Sequence, residues 1–100
     1  MFELRETPTF IAWMKGLKDR EARARINIQL RKVGLGNFGN VKGLGSGLFE
    51  MRVDYGPGYR VYFNQQGSKI IILLCGGVKT GQQKDINRAR LLVRKFDDED

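Results

Sequence analysis

Charged and hydroxyl-bearing side chains recur at every second position around a Gly-Pro-Gly turn. Glu50 and Arg52 alternate with apolar residues before the turn, and Arg60 and Tyr62 do so after it. Because successive side chains of a β-strand point to opposite faces, two paired strands would gather these four on one face of a sheet. Arginine offers planar, bidentate donors to a phosphate group. The spacing therefore predicts a phosphate-binding face.

Two lysines extend this predicted face. Lys42 precedes the first strand, and Lys79 follows a third, apolar strand. Four cations suit cleavage of RNA without a metal ion, because electrostatic stabilisation is often the largest contribution to catalysis. A base must also remove the proton of the 2′-hydroxyl group, and either Glu50 or a lysine is expected to do so. Tyr62 is expected to stack on a nucleobase or to position a hydroxyl group.

The same residues also have a purely structural interpretation. A hairpin symmetric about Pro57 would pair Asp54 with Arg60, Arg52 with Tyr62, and Glu50 with Asn64. Asp54 and Arg60 would then form an ordinary cross-strand ion pair, and Arg52 would be a solvated strand residue. The residues alone leave the phosphate-binding and structural interpretations open.

Two helices are predicted ahead of these strands. Thr7-Pro8 is typical of a helix start, with a hydroxyl cap followed by proline at the first helical position. Apolar residues follow at helical spacing: Phe10, Trp13, Met14 and Leu17. Asp19 is expected to cap a second helix, residues 20 to about 33. This helical hairpin must cover the apolar face of the sheet, because such a face would aggregate if exposed. The polar face is expected to stay open.

The remaining segments complete a predicted order of β-α-α-β-β-β-α. Residues 2–6 are a short first strand, and residues 34–47, which include six glycines, are predicted to be a loop. Residues 70–75 are apolar throughout and are typical of a central strand. A final basic helix runs from residue 85 to about 96, with Phe96 in its apolar stripe. We expect one α+β domain over residues 1–100.

The composition limits the classes of partner and of catalysis that the protein can have. The net charge is +7, and leaving out the four acidic residues at 97–100 raises it to +11. A basic body indicates an anionic partner, either nucleic acid or an acidic protein. The chain has no histidine and one cysteine, which excludes histidine-based catalysis, so no metal ion and no cofactor are expected. The longest apolar run is too short to span a bilayer and the N-terminus does not resemble a signal peptide, so a cytoplasmic protein without membrane contact is expected.

Three segments together resemble the RelE/ParE toxin superfamily, and most closely its HigB-like branch of addiction-module killer proteins. They are residues 47–63, the run Leu-Leu-Cys-Gly-Gly-Val-Lys-Thr that ends at Thr80, and Asp85-Ile-Asn-Arg-Ala-Arg90. The resemblance extends over nearly the whole chain. It implies a RelE-like, microbial-ribonuclease-like fold and the toxin of a type II toxin–antitoxin system. RelE-like members are mRNA interferases, metal-independent endoribonucleases that cleave mRNA at the ribosome. The implied partner is an antitoxin, of the helix-turn-helix type.

The resemblance also assigns roles by position. It implies that Arg60 contacts the scissile phosphate, that Arg52 and Lys42 are basic residues ahead of it, and that Lys79 stands where relatives place a basic residue or histidine. Glu50 stands where some relatives have lysine. Two alternatives remain open: a ParE-like, non-enzymatic inhibitor of DNA gyrase, and a basic module without catalysis.

Overall fold

A computed structural model of the chain describes residues 1–99, with side chains through residue 95. Within this range it contains five strands and three α-helices. They are β1 (Glu3–Glu6), α1 (Pro8–Gly16), α2 (Arg20–Gly34), β2 (Val41–Gly45), β3 (Leu48–Val53), β4 (Tyr59–Gln66), β5 (Ile70–Val78) and α3 (Gln82–Glu99), with a 3₁₀ turn at Lys79–Gly81. All strands form one sheet in the order β1-β5-β4-β3-β2, and only β1 pairs in parallel. The predicted α+β class is confirmed.

Both predicted helix starts are confirmed by their caps. The hydroxyl of Thr7 accepts a hydrogen bond from the Phe10 backbone N–H at 3.0 Å, and it donates to the Leu74 carbonyl at 2.7 Å. The Asp19 carboxylate accepts from the first turn of α2. Because the Thr7 hydroxyl also binds β5, this cap fixes the position of α1 relative to the sheet.

The predicted element order is wrong at one place, because residues 41–45 form a strand rather than part of a loop. β2 pairs antiparallel with β3, with Lys42 opposite Glu50. Ser46 and Gly47 connect the two strands with φ angles of 56° and 77°, which is the backbone of a tight hairpin turn. Glycine has low strand propensity, so pairing with β3 rather than local preference makes this strand. The observed order is β-α-α-β-β-β-β-α.

The helical hairpin covers one face of the sheet, as predicted. We call this the hairpin face. Its buried residues are apolar: Phe10, Ala22, Ile26, Leu30 and Val33 from the helices, and Met51, Val53, Tyr59, Val61, Phe63, Ile71 and Leu73 from the sheet. Fully burying a large aliphatic or aromatic side chain contributes about 1.5–3 kcal/mol. This layer is therefore the main hydrophobic core.

The opposite face is not open, contrary to the sequence-based prediction. α3 packs across it, and we call it the α3 face. Ala89 and its neighbours on α3 contact Leu48, Tyr62, Ile72, Leu74 and Cys75 of the sheet. The reason is that β5 is apolar on both sides, so its second side also needs cover. The side chain of Phe96 lies outside the described residues.

Two adjacent glycines let both layers approach β5 closely. A Cβ atom at Gly76 would overlap the ring of Trp13 from α1, and a Cβ atom at Gly77 would overlap the carboxylate of Asp85 from α3. Because strand residues alternate between faces, Gly76 leaves room for α1 on one face of the sheet and Gly77 leaves room for α3 on the other. Within the described residues, no helix has both the length and the apolar character needed to cross a membrane.

Candidate functional site

The register of β3 and β4 gathers the predicted site residues on the α3 face. Arg52 lies directly opposite Arg60, and Glu50 lies opposite Tyr62. The register expected from a turn symmetric about Pro57 is wrong. Val53 and Tyr59 are the paired residues next to the loop, so the loop is centred on Gly56 rather than on Pro57. Each residue of β3 therefore pairs with a β4 residue two positions earlier than expected.

Glu50 and Arg60 form a buried ion pair. A guanidinium nitrogen of Arg60 donates to Oε1 of Glu50 at 3.1 Å, and these residues are 8% and 1% exposed. The side-chain amide of Gln82, at the start of α3, donates to Oε2 of Glu50 at 2.7 Å. The expected Asp54–Arg60 pair is replaced by this one. The two oxygens of the Glu50 carboxylate thus accept one bond from Arg60 and one from Gln82. Because Gln82 holds the carboxylate, the carboxylate in turn holds the orientation of the arginine.

Two buried polar atoms in this cluster have no hydrogen-bond partner among the described residues. They are Nε of Arg60 and the hydroxyl oxygen of Tyr62; the latter lies near enough to the Glu50 carboxylate for its pKa to be raised but makes no well-aligned hydrogen bond to it. An unpaired buried polar group costs about 1–3 kcal/mol, so such groups are few in native proteins. Unpaired groups of this kind are typical of places where a ligand or a water molecule completes the hydrogen bonding.

The ring of Tyr62 is fully buried between the sheet and α3, so it is inaccessible to a nucleobase in this conformation. Burial raises the pKa of its hydroxyl group, and the nearby carboxylates of Glu50 and Asp85 raise it further. The hydroxyl is therefore protonated at neutral pH. It can donate a hydrogen bond or a proton, but it cannot serve as a base.

Sequence reasoning missed two residues of the cluster, Gln82 and Asp85, which α3 carries onto the sheet. The Asp85 carboxylate lies over Gly77, and Gly77 is the strand partner of Arg60. Burial raises the pKa of Asp85, while Arg88 and Lys84 partly offset this increase. The Gly-Gly pair is the signal that something approaches β5 closely, but it does not say which residue.

The exposed basic residues border the cluster at different places. Lys42 lies opposite Glu50 on the edge strand β2. Arg52 lines a concavity of about 470 Å³ beside α2, whose other lining residues include Arg25 and Ile28 and the acidic Glu21 and Asp54. Ile28 is 49% exposed, so it is not part of the helix–helix contact.

Lys79 lies at the turn end of the cluster. Its backbone N–H donates to the Gly58 carbonyl at 2.8 Å, and its side chain lines a concavity of about 270 Å³ with the turn at residues 54–58. The β4–β5 register places Gly77, two residues before Lys79, opposite Arg60. The structure thus joins Glu50, Arg60 and Tyr62 closely, and it leaves Lys79 at the border.

Neither a metal site nor a thiol nucleophile is evident in the part of the chain that the structure describes. No three His, Cys, Asp or Glu residues there converge to hold a metal ion. Burial raises the pKa of the Cys75 thiol to about 12, and its Sγ lies 3.8 Å from the Asp85 carbonyl oxygen. The thiol is therefore protonated and serves as a small core residue.

Fold and site together define an α+β protein with a buried arginine–carboxylate cluster bordered by exposed basic residues. No protein-family model matches the chain. A protein of Haemophilus influenzae strain Rd, described as uncharacterized, is 44% identical over 94 residues, which are 94% of this chain and 95% of that protein. This chain belongs to the same family as the H. influenzae protein.

Proposed function

We propose that this protein is the toxin of a type II toxin–antitoxin system, a RelE-like protein of the HigB-like branch, and that it cleaves mRNA on the ribosome in the cytoplasm. The resemblance in the sequence motivates this function. Its main structural support is Arg60, whose guanidinium is held by Glu50 and whose Nε has no hydrogen-bond partner among the described residues. A guanidinium fixed in this way suits the binding of a phosphate group.

The cluster supplies groups for metal-independent cleavage. The 2′-oxygen attacks phosphorus, its proton passes to a base, and the leaving 5′-oxygen receives a proton from an acid. Arg60 stabilises the charged phosphorane, while Arg52, Lys42 and Lys79 bind the adjoining backbone. Tyr62 stays protonated, but its raised pKa makes it a weaker proton donor than an ordinary tyrosine, so it is not assigned the role of acid. Glu50 primarily positions Arg60, and either Glu50 or a lysine accepts the 2′ proton.

This mechanism requires α3 to move at its first turn. Arg60, Tyr62 and Glu50 are each at least nine-tenths buried, so RNA reaches them only when Gln82 releases Glu50. Among the described residues, two polar contacts hold this end of α3 to the sheet: the Gln82–Glu50 hydrogen bond and the weak contact between the Cys75 thiol and the Asp85 carbonyl. Displacement of one helix turn therefore breaks few polar interactions.

The burial of these residues favours one alternative function. A ParE-like inhibitor of DNA gyrase acts by binding alone, so it needs no access to Glu50, Arg60 or Tyr62. Its surface would include the exposed Lys42, Arg52 and Lys79. In that case the buried ion pair would serve only the fold.

Primer extension on a test mRNA, with and without ribosomes, tests the proposed function. We expect discrete cuts only when both ribosomes and protein are present. Arg60→Lys keeps a positive charge beside Glu50 but loses the planar donor set, so cleavage should fall by about 100-fold. Arg52→Ala should also reduce cleavage, whereas Arg31→Ala, an exposed arginine on α2, should not. Circular dichroism confirms folding of each variant.

Two results would contradict this proposal. Unchanged cleavage and growth arrest in a folded Arg60→Lys variant would exclude the role of Arg60. Inhibition of gyrase supercoiling by the purified protein, with mRNA and translation unaffected, would establish the alternative.

The proposed partner is an antitoxin encoded by the adjacent gene, with a helix-turn-helix domain and an acidic segment. Charge complementarity with the basic surface would speed and orient its binding. Co-expression of the two genes should restore growth, and the two proteins should co-purify.

A further inference from the structure

A second group of basic residues lies where α3 meets the β2–β3 turn, beyond the cluster already described. Arg90 of α3 donates to the Leu44 carbonyl of β2 at 3.0 Å. This bond fixes the guanidinium at the outer edge of the sheet. Arg94 lies one helical turn further along the same side of α3, because residues four apart share a helix face.

These two arginines line a concavity of about 240 Å³. Its other lining residues are Ser46, Leu48 and Val93. The floor is thus apolar, and the rim holds two guanidinium groups and one hydroxyl group. Among the residues whose side chains the structure describes, which end at residue 95, no carboxylate lines this concavity.

Ser46 has an unusual backbone for its residue type. Its φ angle is 56°, and it is the one non-glycine residue with a positive φ in the described chain. Glycine or asparagine fits the first position of such a turn with less strain. Strained residues of this kind cluster at ligand sites, and Ser46 lines the same concavity as the two arginines.

The concavity continues the basic surface along the edge strand. Ser46 lies four positions after Lys42 along β2 and its turn, which corresponds to about 13 Å at the usual rise of a strand. Arg52 follows Lys42 in the other direction, since its backbone N–H donates to the Asn40 carbonyl beside the start of β2. Basic groups therefore follow one edge of the sheet from Arg52 to Arg94.

We propose that Ser46, Arg90 and Arg94 form a binding subsite for a phosphodiester group of a single-stranded nucleic acid that extends along the β2 edge. The inference rests on the proposed function only for the identity of that nucleic acid as mRNA. The subsite binds backbone and makes no contact that reads a base. It anchors the strand at a distance from Arg60.

Fluorescence anisotropy with a short labelled RNA, across a range of salt concentrations, tests this subsite in the full-length protein. Arg94→Ala should weaken binding about fivefold to tenfold, as expected for the loss of one charge-assisted contact. It should also reduce the salt slope by about 0.7, the value for one phosphate contact on a single strand. The matched control, Arg31→Ala on α2, should change neither quantity.

Ser46→Gly separates binding from folding. Glycine adopts this backbone without strain, so the melting temperature should rise, while loss of the hydroxyl should weaken RNA binding about twofold to threefold. A single-stranded DNA of the same sequence should bind within about threefold of the RNA, because phosphate rather than the 2′-hydroxyl is recognised.

The outcomes separate this inference from the proposed function. Equal weakening by Arg94→Ala and Arg31→Ala would overturn the subsite, because net charge alone would then explain binding. The same variant can be tested for binding to an acidic peptide. If Arg94→Ala lost binding to that peptide while its RNA affinity stayed unchanged, the subsite would also be overturned. The concavity would then be assigned to a protein partner. Absence of mRNA cleavage, with the predicted losses of RNA affinity intact, would reject only the nuclease function.

Discussion

The two faces of the sheet are covered in different ways. On the hairpin face, α1 and α2 bury a continuous apolar layer. On the α3 face, a smaller apolar group adjoins the ion pair of Glu50 and Arg60, and two buried polar atoms have no partner among the described residues. The first face therefore stabilises the fold mainly by apolar burial, whereas the second includes buried polar atoms whose missing partners carry a free-energy cost.

This difference between the two faces bears on the proposed function. An apolar layer with complete packing needs nothing further, but incompletely paired polar groups persist only where something compensates for them. The α3 face also adjoins the exposed basic residues Lys42 and Arg52. The proposed function accordingly places its anionic ligand on the α3 face.

The largest expected effect is on the buried ion pair. Glu50→Ala leaves the Arg60 charge buried without its partner, which should reduce the free energy of unfolding by about 3–5 kcal/mol. Ile26→Val on the hairpin face removes one buried methylene and should cost only about 0.5–1.5 kcal/mol. Urea denaturation measures both values.

A double replacement sharpens this test. Glu50→Met combined with Arg60→Met should recover most of the lost stability, because an apolar pair of similar size replaces both charges. A cost below about 1 kcal/mol for Glu50→Ala would show that the carboxylate does not hold the arginine.

The next largest effects compare the two glycines of β5. Gly76→Ala forces a methyl group against the Trp13 ring, and Gly77→Ala forces one against the Asp85 carboxylate. Each should cost about 1–3 kcal/mol by overpacking. Adding Asp85→Ala should rescue Gly77→Ala, because it removes the overlapping group. Gly16→Ala, where a Cβ atom meets nothing within 4 Å, is the control and should not destabilise the protein.

Failure of this rescue would mean that α3 does not hold Asp85 against β5. Thermal denaturation of these variants and of the single Asp85→Ala variant completes a double-mutant cycle and gives the coupling between positions 77 and 85. The hairpin face allows no equivalent rescue, since removing Trp13 would itself leave a cavity.

The smallest effect is on pH dependence at the α3 face. Burial raises the pKa of Asp85 above its ordinary 3.8, and Arg88 and Lys84 partly offset this. The folded protein therefore holds the Asp85 proton more tightly than the unfolded chain does. The resulting stability is present below pH 3.8 and is lost as pH rises through the folded-state pKa.

Asp85→Asn removes this titration. The stability of the variant relative to the original protein should therefore increase as pH rises from 3.8 towards neutrality. Thermal melting at several pH values measures the difference, with Gln83→Ala as a control that changes no charge. A difference that stays constant with pH would show that Asp85 titrates alike in both states.

Local patterns in the sequence determined much of this protein. Alternation in β3 and β4 places Arg52 and Arg60 on one face, because side chains in a strand alternate regardless of what the strand packs against. The caps at Thr7 and Asp19 likewise determined where two helices begin, since a cap acts within a single helical turn. Those features depend only on neighbouring residues.

Only the tertiary structure decided what covers the polar side chains. β2 becomes a strand through its pairing with β3, and α3 buries Glu50 and Arg60 because β5 needs cover on its second side. The hairpin register also depends on which residues close the turn. These outcomes arise from contacts between residues far apart in sequence, so no local pattern contains them.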